Sequence, residues 1–391
     1  MSEIRETKGT VLPIFKTRKK LSVVELFAGI GSYAEALRRN GVEHEIKGIS
    51  EINKYAVAAH KLLHGDIPNY GDIAKVEKLP KTDMWCYSAP CTDISLAGQM
   101  RGMDRDSNTA SSLLWEVERL LYTAKEHDEL PKYLIMENVP MLVSKKFIHS
   151  FNEWLEVLEN LGYKNYWQQL NAKDYGIPKT RNRVFLVSIL EPSHEFDFPQ
   201  AFPLEKVLLD YLDSEVDEKY FISEAFLLYC TDPTDRNGFI RGNRFKPHDT
   251  AKSKYAFTIT TRKGSTPTDN FVIVPEATLK GYKEAYVGDG IYINRPHQKR
   301  GCVQKGKIQT IKRTVNDLGV IVEKDKALMI RKITPRESLR LMGWTDERIE
   351  LIINSFSDAR LYTFAGNGIV IDVLCEIFKE LFKYEGLWVK G

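Results

Sequence analysis

The sequence holds no uninterrupted run of about 18 apolar residues, the length that crosses a bilayer, so no membrane span or membrane partner is expected. Residues 1–20 are polar and basic and lack the apolar stretch of a secretory leader. They read as a basic arm ahead of the first strand. Cysteine is scarce: Cys86, Cys91, Cys230, Cys302 and Cys375 form an odd, scattered set without a Cys-x-x-Cys pair. This excludes a disulfide framework, offers no zinc-ligand spacing, and points to a reducing cytoplasm with no metal centre.

Net charge is also small, at +3 over 391 residues, but it is unevenly spread. Residues 231–313 carry seventeen Lys or Arg against seven Asp or Glu, an excess of +10 that leaves the remainder at −7. One part of the chain is thus suited to a polyanion and the rest is not. By itself this favours nucleic acid no more than it favours a solvated basic face.

Along residues 21–190, short apolar runs alternate with helical patterning. LSVVEL (21–26), residues 45–49, DMWCY (83–87), YLIM (133–136) and RVFLVSI (183–189) read as strands. Residues 33–39, 54–63, 113–124 and 151–161 read as helices. The alternation predicts a Rossmann-like, mainly parallel α/β sheet covered on both faces. After Leu190 the texture changes to Pro-punctuated, Gly-, Thr- and Lys-rich sequence with short β-like runs, among them 255–261 and 271–274. We divide the chain into the arm, a ligand-binding domain (21–190), a smaller, irregular β-rich domain (191–325) and a helical segment returning to the first domain (326–391).

The first strand runs into Phe27-Ala28-Gly29-Ile30-Gly31 and then a helix, with Glu51 about 20 residues on. Glycines allow a tight turn and close approach of a ligand to the backbone, and an acid after the second strand can hold ribose hydroxyls. A dinucleotide-dependent oxidoreductase would share these features. Pro90-Cys91 follows another strand, on the edge where such sheets collect ligands, whereas Cys86 sits within that strand. Glu137-Asn138 ends a further strand, and Arg181 and Arg183 precede the last one. Singly, each is as well explained by an ion pair or a strand-end cap.

Together and in this order they resemble the DNA cytosine-5 methyltransferase family of bacteria and phages, over nearly the whole chain from Leu21. The resemblance implies S-adenosylmethionine as cofactor, held by Phe27, Ala28, Gly29, Ile30, Gly31, Glu51, Ile52, Asp72, Ile73, Pro90, Asn367, Gly368 and Ile369. It implies Cys91 as nucleophile, Glu137 as the acid for the cytosine ring, Arg181 for the ring carbonyl, and Asn138 and Arg183 in support. Ser95 and Arg101, in the loop after Cys91, and Arg262, Lys263, Thr310 and Lys312, in the basic segment, are expected at the DNA. The segment 191–325 becomes the target-recognition domain. Departures are Lys179 in place of Gln, Ala89 and Ile52 in place of aromatics, and Gly368 in place of Ser.

The family chemistry suits these residue types. A thiolate added at C6 makes C5 nucleophilic, which is covalent catalysis, and a protonated carboxyl at N3 stabilises the adduct. The target carbon is inaccessible in a stacked duplex, so the base must be flipped. Three rivals are weighed: the oxidoreductase; a tRNA methyltransferase, whose Cys-Phe-Thr signature is absent because Thr231 directly follows Cys230; and a catalytically dead binding module. The expectation is a monomeric, cytoplasmic enzyme on double-stranded DNA, in a restriction-modification or phage self-protection setting where any cognate restriction endonuclease acts separately.

Overall fold

The computed structural model describes residues 20–90, 110–221, 271–275, 282–293, 302–313, 317–324 and 327–383. Cys91, Ser95, Arg101, Arg262 and Lys263 lie outside the described residues, as do residues 1–19 of the N-terminal arm and the run 255–261.

Six strands form the central sheet: β1 (Leu21–Leu26), β2 (His44–Ser50), β3 (Met84–Tyr87), β4 (Tyr133–Asn138), β5 (Tyr163–Asn171) and β6 (Asn182–Leu190). Their order is β2-β1-β3-β4-β6-β5. β1 is parallel to β2 and β3, and β3 to β4, while β6 runs antiparallel to both β4 and β5. The mainly parallel α/β sheet is therefore present. Its helices are α1 (Ser32–Arg39), α2 (Lys54–His64), α3 (Leu114–Glu126), α4 (Ile148–Asn160), α5 (Pro335–Arg340), α6 (Asp346–Ile353), α7 (Asp358–Asn367) and α8 (Ile371–Phe382).

Successive strand side chains point to opposite faces, and an all-apolar strand feeds two cores at once. Leu21, Val23, Met84 and Cys86 pack beneath α1, α2 and α8, whereas Val24, Leu26, Trp85 and Tyr87 pack beneath α3 and α4. The chain leaves β1 for β2 on one side and returns to β3 on the other. This reversal opens a crevice at the carboxyl ends of β1 and β3, where ligands of doubly wound sheets bind. The glycine turn and the Ser88–Pro90 loop both emerge there.

Strand β5 was not anticipated. It is an edge strand whose middle residues are half-exposed or exposed, so its sequence, YKNYWQQLN, lacks the apolar run of a buried strand. Helix α7 was also missed. With α8 it forms a stretch, Asp358–Phe382, of mean hydropathy 1.5, long and apolar enough by length and composition alone to cross a membrane. It is broken at Gly368 and 67% buried within the protein, which is the signature of core helices.

The basic segment and the residues that follow it contribute β7 (Phe271–Pro275) paired with β8 (Tyr282–Tyr286), and a second sheet ordered β10-β9-β11-β12. The latter comprises β9 (Gly290–Tyr292), β10 (Val303–Gln304), β11 (Leu318–Lys324) and β12 (Ala327–Arg331). Ile308, Ile311, Leu318 and Val320 belong to the same apolar cluster as one face of the central sheet. A parallel bridge joins Lys179 to Ile308, with Thr180 N–H donating to the Ile308 carbonyl at 3.0 Å.

Candidate active site

The turn after β1 needs left-handed backbone at Phe27 (φ 56°), Gly29 (φ 57°) and Gly31 (φ 84°). Gly31 is doubly constrained, because a Cβ there would collide with the His64 ring, whose Nε2 bonds the Ile30 carbonyl at 3.2 Å. Burial and the neighbouring His60 push His64 down to about 2, so it donates as a neutral imidazole. Gly31→Ala is expected to destabilise the protein by at least about 2 kcal/mol, combining left-handed strain with overpacking. A lowered Tm in calorimetry checks this, and an unchanged Tm would contradict it.

At Gly29, by contrast, a Cβ would meet no atom of the described residues within 4 Å, and Gly29 lines the crevice. Two carboxylates tie the turn down. Glu51 accepts the Gly29 N–H at 2.9 Å through one oxygen and the Asn53 N–H at 2.8 Å through the other. Glu25, fully buried on β1, accepts the Ala34 N–H at 2.6 Å and lies 3.2 Å from His60 Nε2. Asn69 holds the next loop in place, bonding both main-chain groups of Glu51 and the Gly71 N–H. This brings Asp72 alongside Glu51, and Ile52 stands 76% exposed beside them.

Across the crevice, Glu137 ends β4 and is 7% exposed. Arg183 Nε lies 2.9 Å from its carboxylate. Burial raises the Glu137 pKa against the opposing pull of Arg183 and Arg181. Asn138 Nδ2 donates to the Ala89 carbonyl at 3.3 Å and its Oδ1 accepts the Val139 N–H at 2.8 Å, which fastens the end of β4 to the residue before Pro90. Tyr33, which the sequence reading passed over, bridges α1 to the end of β3. Its hydroxyl donates to the Tyr87 carbonyl at 3.2 Å and lies 3.0 Å from Ser88 Oγ.

Arg181 also lines the crevice, and its guanidinium donates to the carbonyls of Ile311 (3.4 Å), Gly366 (3.2 Å) and Gly368 (2.7 Å). It is Arg183 that stands on the acid. Lys179 is fully buried, and desolvation with Arg181 and Arg183 nearby holds its amine well below the usual lysine range. A desolvated amine thereby fills the position where the family usually has an uncharged amide. The two described residues expected at DNA have partners within the protein: Thr310 Oγ1 donates to the Thr180 carbonyl at 2.6 Å, and Lys312 Nζ lies 3.7 Å from Asp317.

These elements enclose a cleft of about 380 Å³. Phe27, Ala28, Gly29, Ile30, Glu51, Ile52, Asp72, Ile73, Pro90, Asn367, Gly368 and Ile369 line it, as do Glu137, Asn138, Arg181 and Arg183. Gly31 shapes the turn without lining the space. Arg313, Thr363 and Phe364 also line it and were missed, since nothing local in the sequence marks them as neighbours of the glycine turn.

A doubly wound sheet with a cleft at its switch point defines the class of Rossmann-like α/β proteins. The fold is shared with Dnmt2 methyltransferase of S. pombe (TM-score 0.58, 19% identity, covering 94% of this chain and 100% of that one). It is shared likewise with the Entamoeba histolytica methyltransferase EhMeth (TM-score 0.59, 17% identity, 94% and 99% covered). Sequence narrows the class. Residues 21–383 match the C-5 cytosine-specific DNA methylase family, and the chain belongs to it as a DNA (cytosine-5-)-methyltransferase. Type II methyltransferase M2.ScrFI of Lactococcus lactis subsp. cremoris is 31% identical over 427 aligned positions, covering 93% of this chain and 99% of the relative. Orphan methyltransferase M.SPRI of Bacillus phage SPR is 28% identical, covering 93% and 97%.

Proposed function

We propose that this enzyme transfers a methyl group from S-adenosylmethionine to C5 of a cytosine flipped out of duplex DNA, within one short target sequence, and that Cys91 adds covalently at C6. The observation that carries the reading is the Glu137–Arg183 pair, which lines the cleft together with Pro90, the residue that precedes Cys91 in the chain.

The cleft suits this cofactor better than a dinucleotide. Glu51, which lines the cleft, already accepts the Gly29 amide, so an incoming pyrophosphate would meet a carboxylate there. A cation is attracted by the same group. Glu51 would hold the ribose, Asp72 the adenine, and exposed Ile52 would cover one face of that ring. When bound, S-adenosylmethionine supplies an electrophilic methyl group on a sulfonium.

The residues of the chain do the rest. The Cys91 thiolate adds to C6, and the electron pair displaced along the ring is met at N3 by the proton of Glu137. Arg183, already held at Glu137, is placed to donate to the ring carbonyl, while Arg181 braces the same wall through three backbone carbonyls. After methylation, loss of the C5 proton and expulsion of Cys91 restore the aromatic ring. Asn138 keeps the acid and the Pro90 loop in register. The excess of +10 in residues 231–313 supports duplex binding through phosphate neutralisation. We assign the enzyme to protection of its own DNA, as a monomer in the cytoplasm, with any cognate endonuclease acting separately.

Bisulfite sequencing of DNA from cells expressing the chain is expected to reveal 5-methylcytosine within a single short motif. Unmodified DNA from cells that contain the soluble, folded protein would overturn the reading.

A further inference from the structure

S-adenosylmethionine carries a sulfonium and an α-ammonium, both cationic, and one α-carboxylate. The cations meet an acidic cleft lined by Glu51, Asp72 and Glu137. The carboxylate is repelled by the same groups, and part of the usual anion-binding capacity of a glycine turn is already taken by Glu51 at Gly29 and Glu25 at Ala34. A compensating cation is needed on another wall.

Three arginines line the cleft. Arg183 is paired with Glu137, and Arg181 is buried on its three carbonyls. Arg313 is exposed, and its Nε donates to Asn367 Oδ1 at 3.1 Å, a neutral partner that orients the guanidinium without cancelling its charge. Among the described residues no carboxylate pairs with it.

The approach of Arg313 to the cleft depends on a missing side chain. The backbone of Lys312 and Arg313 passes so close to Gly366 that a Cβ there would lie 2.6 Å from the Arg313 nitrogen. Gly368, next to Asn367, lies against the first turn of α1, where a Cβ would stand 3.8 Å from Ser32 Oγ. Arg313 is thus carried by the basic segment onto the wall that adjoins the glycine turn.

We propose that Arg313 is the binding residue for the α-carboxylate of the cofactor, reaching it from the recognition segment. This rests on the S-adenosylmethionine reading above. The rival ligand for the same guanidinium is a DNA phosphate, which the test separates.

Calorimetric titration of the full chain compares S-adenosylhomocysteine, which keeps the carboxylate, with 5′-methylthioadenosine, which lacks the whole amino-acid end. Arg313→Ala is expected to weaken S-adenosylhomocysteine about ten-fold or more, the loss of one charge-assisted contact, and to leave 5′-methylthioadenosine unchanged. Arg313→Lys is expected to fall between, since an ammonium keeps the charge and loses the fork. Unchanged binding of S-adenosylhomocysteine in Arg313→Ala overturns the assignment. Equal weakening of both ligands also overturns it, because the residue then only shapes the cleft. Weaker DNA binding with cofactor affinity intact overturns it in favour of the phosphate. If the wild-type chain binds neither nucleoside, the cofactor reading itself falls, and this assignment with it.

Discussion

Glu137→Gln is expected to lower the rate of methyl transfer by roughly 10²- to 10⁴-fold, the usual contribution of a positioned general acid. Glutamine keeps the shape of the side chain and can still donate a hydrogen bond, but it has no proton to give to N3. The pH dependence carries the sharper test. Burial raises the Glu137 pKa above the usual carboxyl value of 4.5, opposed by Arg183 and Arg181. A raised value means that the acid form persists to higher pH. Activity that needs that proton is therefore full below the folded pKa and declines as pH rises through it. In single-turnover kinetics the wild-type rate should show this falling limb and Glu137→Gln should not. A variant with near-normal rate, or one that retains the limb, would remove Glu137 from the acid role.

The second large effect is at Cys91. Cys91→Ala is expected to abolish methylation while DNA binding persists, since the thiol is needed only for the covalent step. Duplex DNA bearing 5-fluorocytosine at the target should trap the wild-type enzyme, because the fluorine cannot leave as a proton does. The other described cysteines are poor substitutes. Burial pushes the Cys86 thiol well up and that of Cys375 to about 12, and Cys302 is buried too. Peptide mapping of the trapped complex should therefore find the base on Cys91. A full adduct yield from Cys91→Ala would sink the assignment.

Much of the architecture was legible from local pattern. Apolar strands separated by helical spacing predicted the sheet, because a strand buried on both faces is mostly apolar, as LSVVEL is apart from Ser22 and the buried Glu25. β5, an edge strand with a polar surface, escaped, as did α7, whereas α4 was expected and only its start at Ile148, with Phe147 at its cap and no capping side chain, fell earlier than the pattern announced. The recognition segment looked like a separate unit by composition. Yet Ile308 and Ile311 pack in the core of the central sheet, a contact that depends on the bridge to Lys179 and not on anything within the segment.

What the sequence alone determined is the family and the residue types at the ends of the strands: the glycine turn, Glu51, Pro90-Cys91, Glu137-Asn138 and the two arginines. The first four follow from local spacing, since the carboxyl end of a strand in a parallel sheet lies on its ligand-binding edge, whereas the arginines reach that edge because β6 runs antiparallel. Tertiary structure decided which partner each one takes. Arg183 rather than Arg181 meets Glu137, because β6 lies antiparallel beside β4 and sets Asn138 opposite Val184. Arg181 reaches Gly368, 187 positions away, and Arg313 arrives at the wall of the cleft because Gly366 leaves room for its backbone. Such pairings join segments far apart in the chain, and close packing, which no local pattern encodes, is what selects among them.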